Sequence, residues 1–396
     1  MTATLPEERP IDDVPQGAVL SVRNLRLQFP TDDGVVKAVD GVSYDVFENE
    51  VLGIVGESGS GKSVSSLAVL GLLPKTAKVT GEIIYRGTDL LGLKEREKQK
   101  LRGSKLAMVF QDALAALNPV YTVGGQIAEA IRIHNPDLDR SEVRERTISL
   151  LDLVGIPNPS RRVDQYPHEY SGGMRQRAMI AMAISNDPDV LIADEPTTAL
   201  DVTIQAQVLE VIERVQDRTN SAIILITHDL GVVAGVSDRV MVMYAGRQAE
   251  MGTVDEIFYE TRHPYTLGLL ASLPRLDQNA EGARLHRIKG QPPSLIHVPT
   301  GCPFHPRCEF RRLPEPCATE VPELRMIDSV GHRAACHFAE ELRDVKREDL
   351  LLTAEESMAT VEETASVEAA RVEAERLQFA EAASERDEAS QTAVEE

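Results

Sequence analysis

Three short stretches of this chain combine residue types that handle phosphate. The first, Gly56-Glu57-Ser58-Gly59-Ser60-Gly61-Lys62-Ser63, fits the pattern of glycine, four residues, then Gly-Lys-Ser/Thr. The backbone N–H groups of such a loop turn inward and cradle phosphate oxygens, and the helix start behind it adds a positive dipole end. Lys62 is placed to reach β- and γ-phosphates, and Ser63 to coordinate Mg2+. The second stretch, DVLIADEP (189–196), is an apolar run ending in two acids. Asp194 fits the residue that holds Mg2+, directly or through water, and Glu195 fits the group that polarises an attacking water. Alone this would read as a charged strand end; downstream of a phosphate loop the catalytic reading leads. The third, SGGMRQR (171–177), offers Ser171, Gly172 and Gly173 as a second anion nest at a helix start. Ser-Gly-Gly is common in loops, so its weight comes from lying between the other two motifs.

A different chemistry is gathered near the C-terminus. All four cysteines, Cys302, Cys308, Cys317 and Cys336, fall within 302–336, spaced C-x5-C-x8-C-x18-C. In a chain kept in a reducing compartment such a cluster suggests metal before disulfides. Four thiolates can close a tetrahedral zinc site or hold a [4Fe–4S] cluster. No C-x2-C pair is present, and spacing alone does not choose between them. Prolines 303, 306, 314 and 316 stiffen the presenting loops. His305, His332 and His337 are alternative ligands.

These residues need elements to hold them. LSVRNLRLQF (20–29) alternates like a strand, TDDG (31–34) is a turn, and VSYDVFENEVLGIVG (42–56) reads as strand, turn and buried strand leading into the loop. VSSLAVLGLLP is a helix stopped by Pro74. GEIIYRG (81–87) is a short strand. From 88 to about 173 KEREKQKLRGS, VGGQIAEAIRIH and SEVRERTISLLDLVG have helical spacing, so this span reads as an inserted helical subdomain. DVLIAD and SAIILITHD (221–229) are the short apolar runs of central parallel strands, and DRVMVMYAG (238–246) closes the unit as a hairpin-like pair. The expected organisation is a flexible segment 1–17 and an α/β unit 18–260. A Cys-rich extension 261–343 follows, then an acidic tail 344–396, solvated as helix or disorder.

Bulk composition narrows the function class. The formal charge is −21, which argues against a nucleic-acid binder with a basic field. Residues 351–396 hold 13 Asp or Glu against 3 Arg, a net −10, so nearly half of the excess sits in the tail. No apolar run approaches the roughly 18–20 residues that span a bilayer, and the acidic start MTATLPEERPIDD has no apolar core of a secretory signal. A cytoplasmic protein is expected, one that relies on other chains for any membrane crossing.

The ordered set GESGSGKS, Gln111 in VFQD, YSGGMRQR, LIADEPTTALD and ITHD resembles the ABC ATPase family over residues 18–260. The resemblance implies a P-loop fold with a RecA-like core, an antiparallel β subdomain and a helical subdomain. Gln111 resembles the glutamine that contacts Mg2+ and the attacking water and relays to membrane subunits. Ser171, Gly172 and Gly173 resemble the signature that binds the γ-phosphate of ATP held by the opposite subunit. Asp201 resembles the acid coupling the two sites, and His228 the histidine on the γ-phosphate. Phe29 resembles the aromatic that stacks on adenine, with a core phenylalanine as the competing reading. The signature reads YSGGM where LSGGQ is common, a change that resembles the peptide-importer branch. RHPYT (262–266), GQPPSL (290–295) and GCPFHPRC (301–308) resemble the C-terminal extension of oligopeptide and dipeptide importer ATPases, which favours [4Fe–4S] at the four cysteines. The resemblance implies an ATPase subunit bound peripherally at the cytoplasmic face of the membrane. Its implied partners are a related second ATPase chain in a heterodimer, two transmembrane permease subunits and an extracytoplasmic peptide-binding protein. A nickel or metal importer ATPase and a soluble, non-transport ABC ATPase are the alternatives.

Overall fold

A computed structural model of the chain describes residues 14–112, 116–198, 201–273, 288–327 and 331–345. The expectations for most of the N-terminal segment and nearly all of the acidic tail lie outside the described residues. Two compact units are distinguished: residues 1–267 with 292–344, and residues 268–291 with 345–396. Among the described residues, every strand lies in the first.

The long strands β1 (Ala18–Thr31) and β2 (Gly34–Phe47) form an antiparallel pair around the turn at Asp32 and Asp33. With β4 (Lys78–Tyr85) and β5 (Thr88–Asp89) they make a four-stranded sheet in the order β2-β1-β4-β5. The second sheet has the order β11-β12-β10-β9-β3-β8-β7-β6. Its centre is parallel: β9 (Arg239–Tyr244), β3 (Val51–Val55), β8 (Ala222–Thr227), β7 (Val190–Asp194) and β6 (Leu106–Val109). Every residue of β3, β7 and β8 is buried. That is why these runs are continuously apolar, with no alternation: both faces of a parallel sheet are covered. Leu52, Ile54, Ile192, Ile224 and Met241 of this sheet share one core with Leu20, Leu25, Val39, Val42 and Ile83 of the other.

The helix after β3, α1 (Lys62–Val69), ends before Pro74. Gly71, at φ +62°, supplies the left-handed residue that stops it, so the proline lies beyond the end rather than causing it. After α2 (Glu95–Leu101) the chain does not stay helical. The four apolar residues of β6 return to the main sheet and pair with β7. The expected helical insertion over 88–173 therefore begins too early. A four-residue strand between polar helices is too short to show a period of its own. The helices standing apart from the sheet are α3 (Val123–His134) and α4 (Arg140–Leu153). Thr122 caps α3, accepting from Gly125 N–H, and Asp139 with Glu142 forms a capping box on α4. The following helices are α5 (Gly172–Ala183), α6 (Val202–Thr219) and α7 (Leu230–Val236).

The boundary expected at residue 260 is also not a structural break. β10 (Arg247–Thr253) pairs on one side with β9 and on the other with β12 (Arg333–Ala334), which pairs with β11 (Arg325–Met326). The Cys-rich extension thus continues the main sheet. The joint is polar and buried: His332 Nε2 lies 2.9 Å from Glu250 Oε1, both side chains being 0% exposed.

Candidate functional site

The phosphate loop, Asp194 with Glu195, and His228 all follow the carboxyl ends of adjacent strands, β3, β7 and β8, where open α/β sheets bind ligands. Two glycines of the loop are dictated by close approach. Gly56 (φ +154°) and Gly61 (φ +100°) would drive a Cβ into the Met243 and Ala38 carbonyls, so no other residue fits without moving β9 or β2. Gly59, at φ +77°, meets nothing. Ser58 belongs to the exposed outer turn of the loop and Ser60 to its buried side, where the Ser60 hydroxyl has no hydrogen-bond partner among the described residues.

Lys62 is 5% exposed and donates from Nζ to the carbonyls of Gly56 (2.7 Å) and Glu57 (3.0 Å), folding back over the loop. Burial lowers its pKa, opposed by the charges of Glu195, Asp194 and Glu57. Ser63 Oγ donates to Asp194 Oδ1 at 2.8 Å, bringing together the two side chains expected on Mg2+. Burial raises the Asp194 pKa, the Ser63 hydrogen bond lowers it, neighbouring Glu195 raises it and Lys62 lowers it. The oxygens of Ser63 and Asp194 are hard donors of the kind magnesium takes.

Glu195 is the hub of a second group. Gln111 Nε2 donates to Glu195 Oε2 (2.9 Å), Thr198 Oγ1 donates to the same oxygen (2.8 Å), and His228 Nδ1 lies 3.4 Å from Oε1. Its backbone is left-handed, φ +45°, at a cost on the order of 1–2 kcal/mol for a residue with a Cβ. Glu195 N–H donates to the Ile226 carbonyl and Thr198 N–H to the Glu195 carbonyl, which hold the turn. The acid is fixed in place rather than left on a mobile strand end, as a water-orienting base requires. Thr198 escaped the sequence reading. Its signal was its place three residues after the acid, at the end of DEPTT.

Ser171 caps α5, accepting from Met174 N–H, and Asp201 caps α6, accepting from Thr203 and Ile204 N–H. The two helix starts pack together: a Cβ on Gly173 would stand 2.7 Å from Ile204 Cγ2. Gly172 faces open space, and among the described residues no hydrogen bond joins Ser171–Gly173 to the phosphate loop. Phe29 is half-buried against the core shared by the two sheets.

The extension reaches the loop directly. Arg307 forks onto Glu57, Nη1 to Oε2 at 2.6 Å and Nη2 to Oε1 at 2.9 Å, and Glu57 N–H donates to Tyr265 Oη at 2.9 Å. Neither contact is legible in the sequence, because 250 positions separate Arg307 from Glu57.

The four cysteines do converge. Cys302, Cys308, Cys317 and Cys336 line one small pocket with Phe304, Phe310, Phe338 and Leu342. Burial raises the thiol pKa of Cys302, and pushes Cys308 and Cys336 up to about 12, with the neighbouring sulfurs adding to the shift. Thiols in such a place ionise only if a cationic group compensates. Among the described residues no group of three or more His, Cys, Asp or Glu side chains is arranged to hold a metal ion. His332 does not line this pocket and pairs through Nε2 with Glu250, whereas His305 and His337 line it.

The family comparisons agree with this geometry. Residues 39–198 match the model of the ABC transporter family, and residues 249–317 that of the oligopeptide/dipeptide transporter C-terminal region. The dipeptide transport ATP-binding protein DppD of Bacillus subtilis is 52% identical over 325 residues, covering 82% of this chain and 95% of the relative. The oligopeptide transport ATP-binding protein OppD of Mycobacterium tuberculosis is 52% identical over 318 residues, 80% of this chain and 51% of the relative, so the chain spans about half the length of that protein. The solved structure of cbiO1 from Clostridium perfringens, part of an ABC transporter complex, superposes with a TM-score of 0.54 at 29% identity, covering 62% of this chain and 92% of the other. The chain belongs to the ABC transporter ATP-binding proteins, in the branch that carries the oligopeptide/dipeptide transporter C-terminal region.

Proposed function

We propose that this chain is the ATP-hydrolysing subunit of an importer of dipeptides or oligopeptides, seated peripherally at the cytoplasmic face of the membrane. The observation that carries the ATPase reading is the juxtaposition of a Lys62–Ser63–Asp194 group with a Glu195 held by Gln111, Thr198 and His228. Peptide as cargo is supported by the names of the relatives and by the C-terminal region shared with them. Among the described residues no helix is long and apolar enough to cross a membrane, so the permease would be other chains: two transmembrane subunits, served by an extracytoplasmic peptide-binding protein.

Ser63, Asp194 and Gln111 would hold Mg2+, which when bound neutralises charge on the β- and γ-phosphates. Lys62 leaves the Gly56 and Glu57 carbonyls for the phosphate, and the loop N–H groups fix the triphosphate. Glu195 accepts hydrogen bonding from the attacking water, with Gln111 orienting its carboxylate and His228 beside it. Among the described residues the signature Ser171–Gly173 makes no hydrogen bond to its own phosphate loop, which supports a γ-phosphate site completed by a second domain. A related but different ATPase chain is the proposed partner, and Asp201 at the start of α6 lies where the two domains would communicate. Phe29 is the proposed adenine contact. The experiment is transport: radiolabelled peptide uptake by vesicles holding the full complex should require ATP and fail with nickel ions as the cargo. Nickel uptake without peptide uptake would move the chain to the metal-importing alternative.

The four-cysteine pocket offers four thiols in an apolar lining, a donor type that a metal group takes, although among the described residues these side chains are not arranged to hold one. We assign it a [4Fe–4S] cluster held by Cys302, Cys308, Cys317 and Cys336. The basis for a cluster over a single zinc is the resemblance of this extension to that of the oligopeptide and dipeptide importer ATPases. Such a group ties together an extension too small to build a large core of its own. Anaerobically purified protein should be brown and hold about four irons and four sulfides per chain. One zinc per chain, or no metal, would overturn the assignment and leave the ATPase reading intact.

A further inference from the structure

The C-terminal extension reaches the nucleotide loop at Glu57 and holds that residue twice. Its side chain is forked by Arg307, 6% exposed, and its N–H is held by Tyr265 Oη. Arg307 is itself fixed. Its guanidinium lies 5.8 Å over the Tyr244 ring, and Tyr244, Tyr265 and Phe304 form a mutual aromatic cluster with centroids 4.7–5.4 Å apart. Glu57 is the second residue of the phosphate loop, and its carbonyl is one of the two groups holding Lys62 Nζ. A carboxylate at this point of a loop built to bind a triphosphate repels the ligand unless it is neutralised.

On the reading of residues 56–63 as the ATP loop, we infer that Arg307 is a positioning residue for ATP binding: it cancels the Glu57 charge and fixes the loop's entry turn from the C-terminal extension. The bidentate fork matters as well as the charge, since lysine offers no second parallel donor. The extension therefore sets nucleotide affinity in addition to capping the sheet.

The test is ATP KM and kcat of the complete transporter, with Kd for a fluorescent ATP analogue on the full-length chain. Arg307→Gln should raise KM and Kd about tenfold, because Glu57 is left uncompensated, with kcat within about twofold. Arg307→Lys should fall between the two. Glu57→Gln added to Arg307→Gln should bring KM back to within about threefold of the parent, since the pair is again neutral. A structural role alone would also be relieved by removing the second charge, but it would move kcat and thermal stability along with KM. The inference is overturned if Arg307→Gln leaves KM unchanged, or if the double variant is no better than Arg307→Gln. If the single variant does not fold, the double variant and Arg307→Lys still decide, because both keep the local charge balanced. Lys62→Ala separates this from the site reading. Lost binding in Lys62→Ala with no effect in Arg307→Gln defeats only the role given to Arg307, whereas intact binding in Lys62→Ala defeats the ATP loop itself.

Discussion

Replacing Glu195 by glutamine is expected to leave ATP binding in place and to lower hydrolysis by about 10²–10⁴-fold, the range for removing a positioned general base. The geometry says why the two effects separate. Glu195 touches Gln111, Thr198 and His228, and the phosphate-binding groups Lys62 and Ser63 make their hydrogen bonds elsewhere, to Gly56, Glu57 and Asp194. Glutamine is nearly isosteric, keeps an oxygen to accept from Thr198 or Gln111, and leaves the left-handed turn at φ +45° unchanged. What it loses is the negative charge that draws a proton from water. The charge also bears on its neighbours. It contributes to raising the Asp194 pKa and opposes the burial that lowers that of Lys62. Removing it should relieve the crowding of acids around the phosphate site, so ATP affinity is expected to hold or rise. Phosphate release under single-turnover conditions, beside analogue binding by fluorescence, reads both quantities. The partner chain must carry no competent base of its own, so that this site alone is read. Unimpaired phosphate release would remove Glu195 from its role and point to Asp194 or His228 as the base.

The candidate residues stood out in the sequence because each motif sits on a feature the backbone enforces. Gly56 and Gly61 are glycines because carbonyls of Met243 and Ala38 stand where a Cβ would go. Asp194 and Glu195 end a strand that is apolar because it is buried on both faces. Ser171 and Asp201 cap helices, the duty their residue types favour. What stayed hidden is long-range. Leu106–Val109 is a strand only because β7 lies beside it, and four residues carry no period. The return of 325–334 to the main sheet depends on the pairing of β12 with β10 and on a buried Glu250–His332 contact 82 positions apart. His332 consequently read as a spare metal ligand when it is a structural partner of the sheet. Arg307 lay inside a cysteine motif and drew no notice, because nothing local to HPRC announces a carboxylate on the phosphate loop.

Lys62→Ala is expected to act in the opposite direction to Glu195→Gln, weakening ATP binding itself. The ammonium is buried and already bonded to two loop carbonyls. Its affinity for phosphate is therefore an exchange of partners within a desolvated site, where charge-assisted hydrogen bonds are worth about 1.5–3 kcal/mol each. One or two such bonds correspond to roughly 10–10³-fold in Kd, at 1.4 kcal/mol for each factor of ten. Electrostatics enlarges the effect, because Lys62 faces the charges of Asp194, Glu195 and Glu57, the last of which is also paired with Arg307. Without it the triphosphate would enter a pocket whose nearest charges are acidic. The fold should tolerate the change. Alanine continues α1, and the vacated Gly56 and Glu57 carbonyls lie on a loop that water reaches once the long side chain is gone. Arginine is no substitute, since its planar fork is larger than a 5%-exposed lysine site allows. Titration of the full-length chain with a fluorescent ATP analogue, with thermal melting as the control for folding, decides the point. A folded Lys62→Ala protein that binds as tightly as the parent would defeat the reading of residues 56–63 as the ATP loop. A folded protein that does not bind, beside a Glu195→Gln protein that binds and does not turn over, would assign affinity to β3 and its loop and hydrolysis to the ends of β7 and β8.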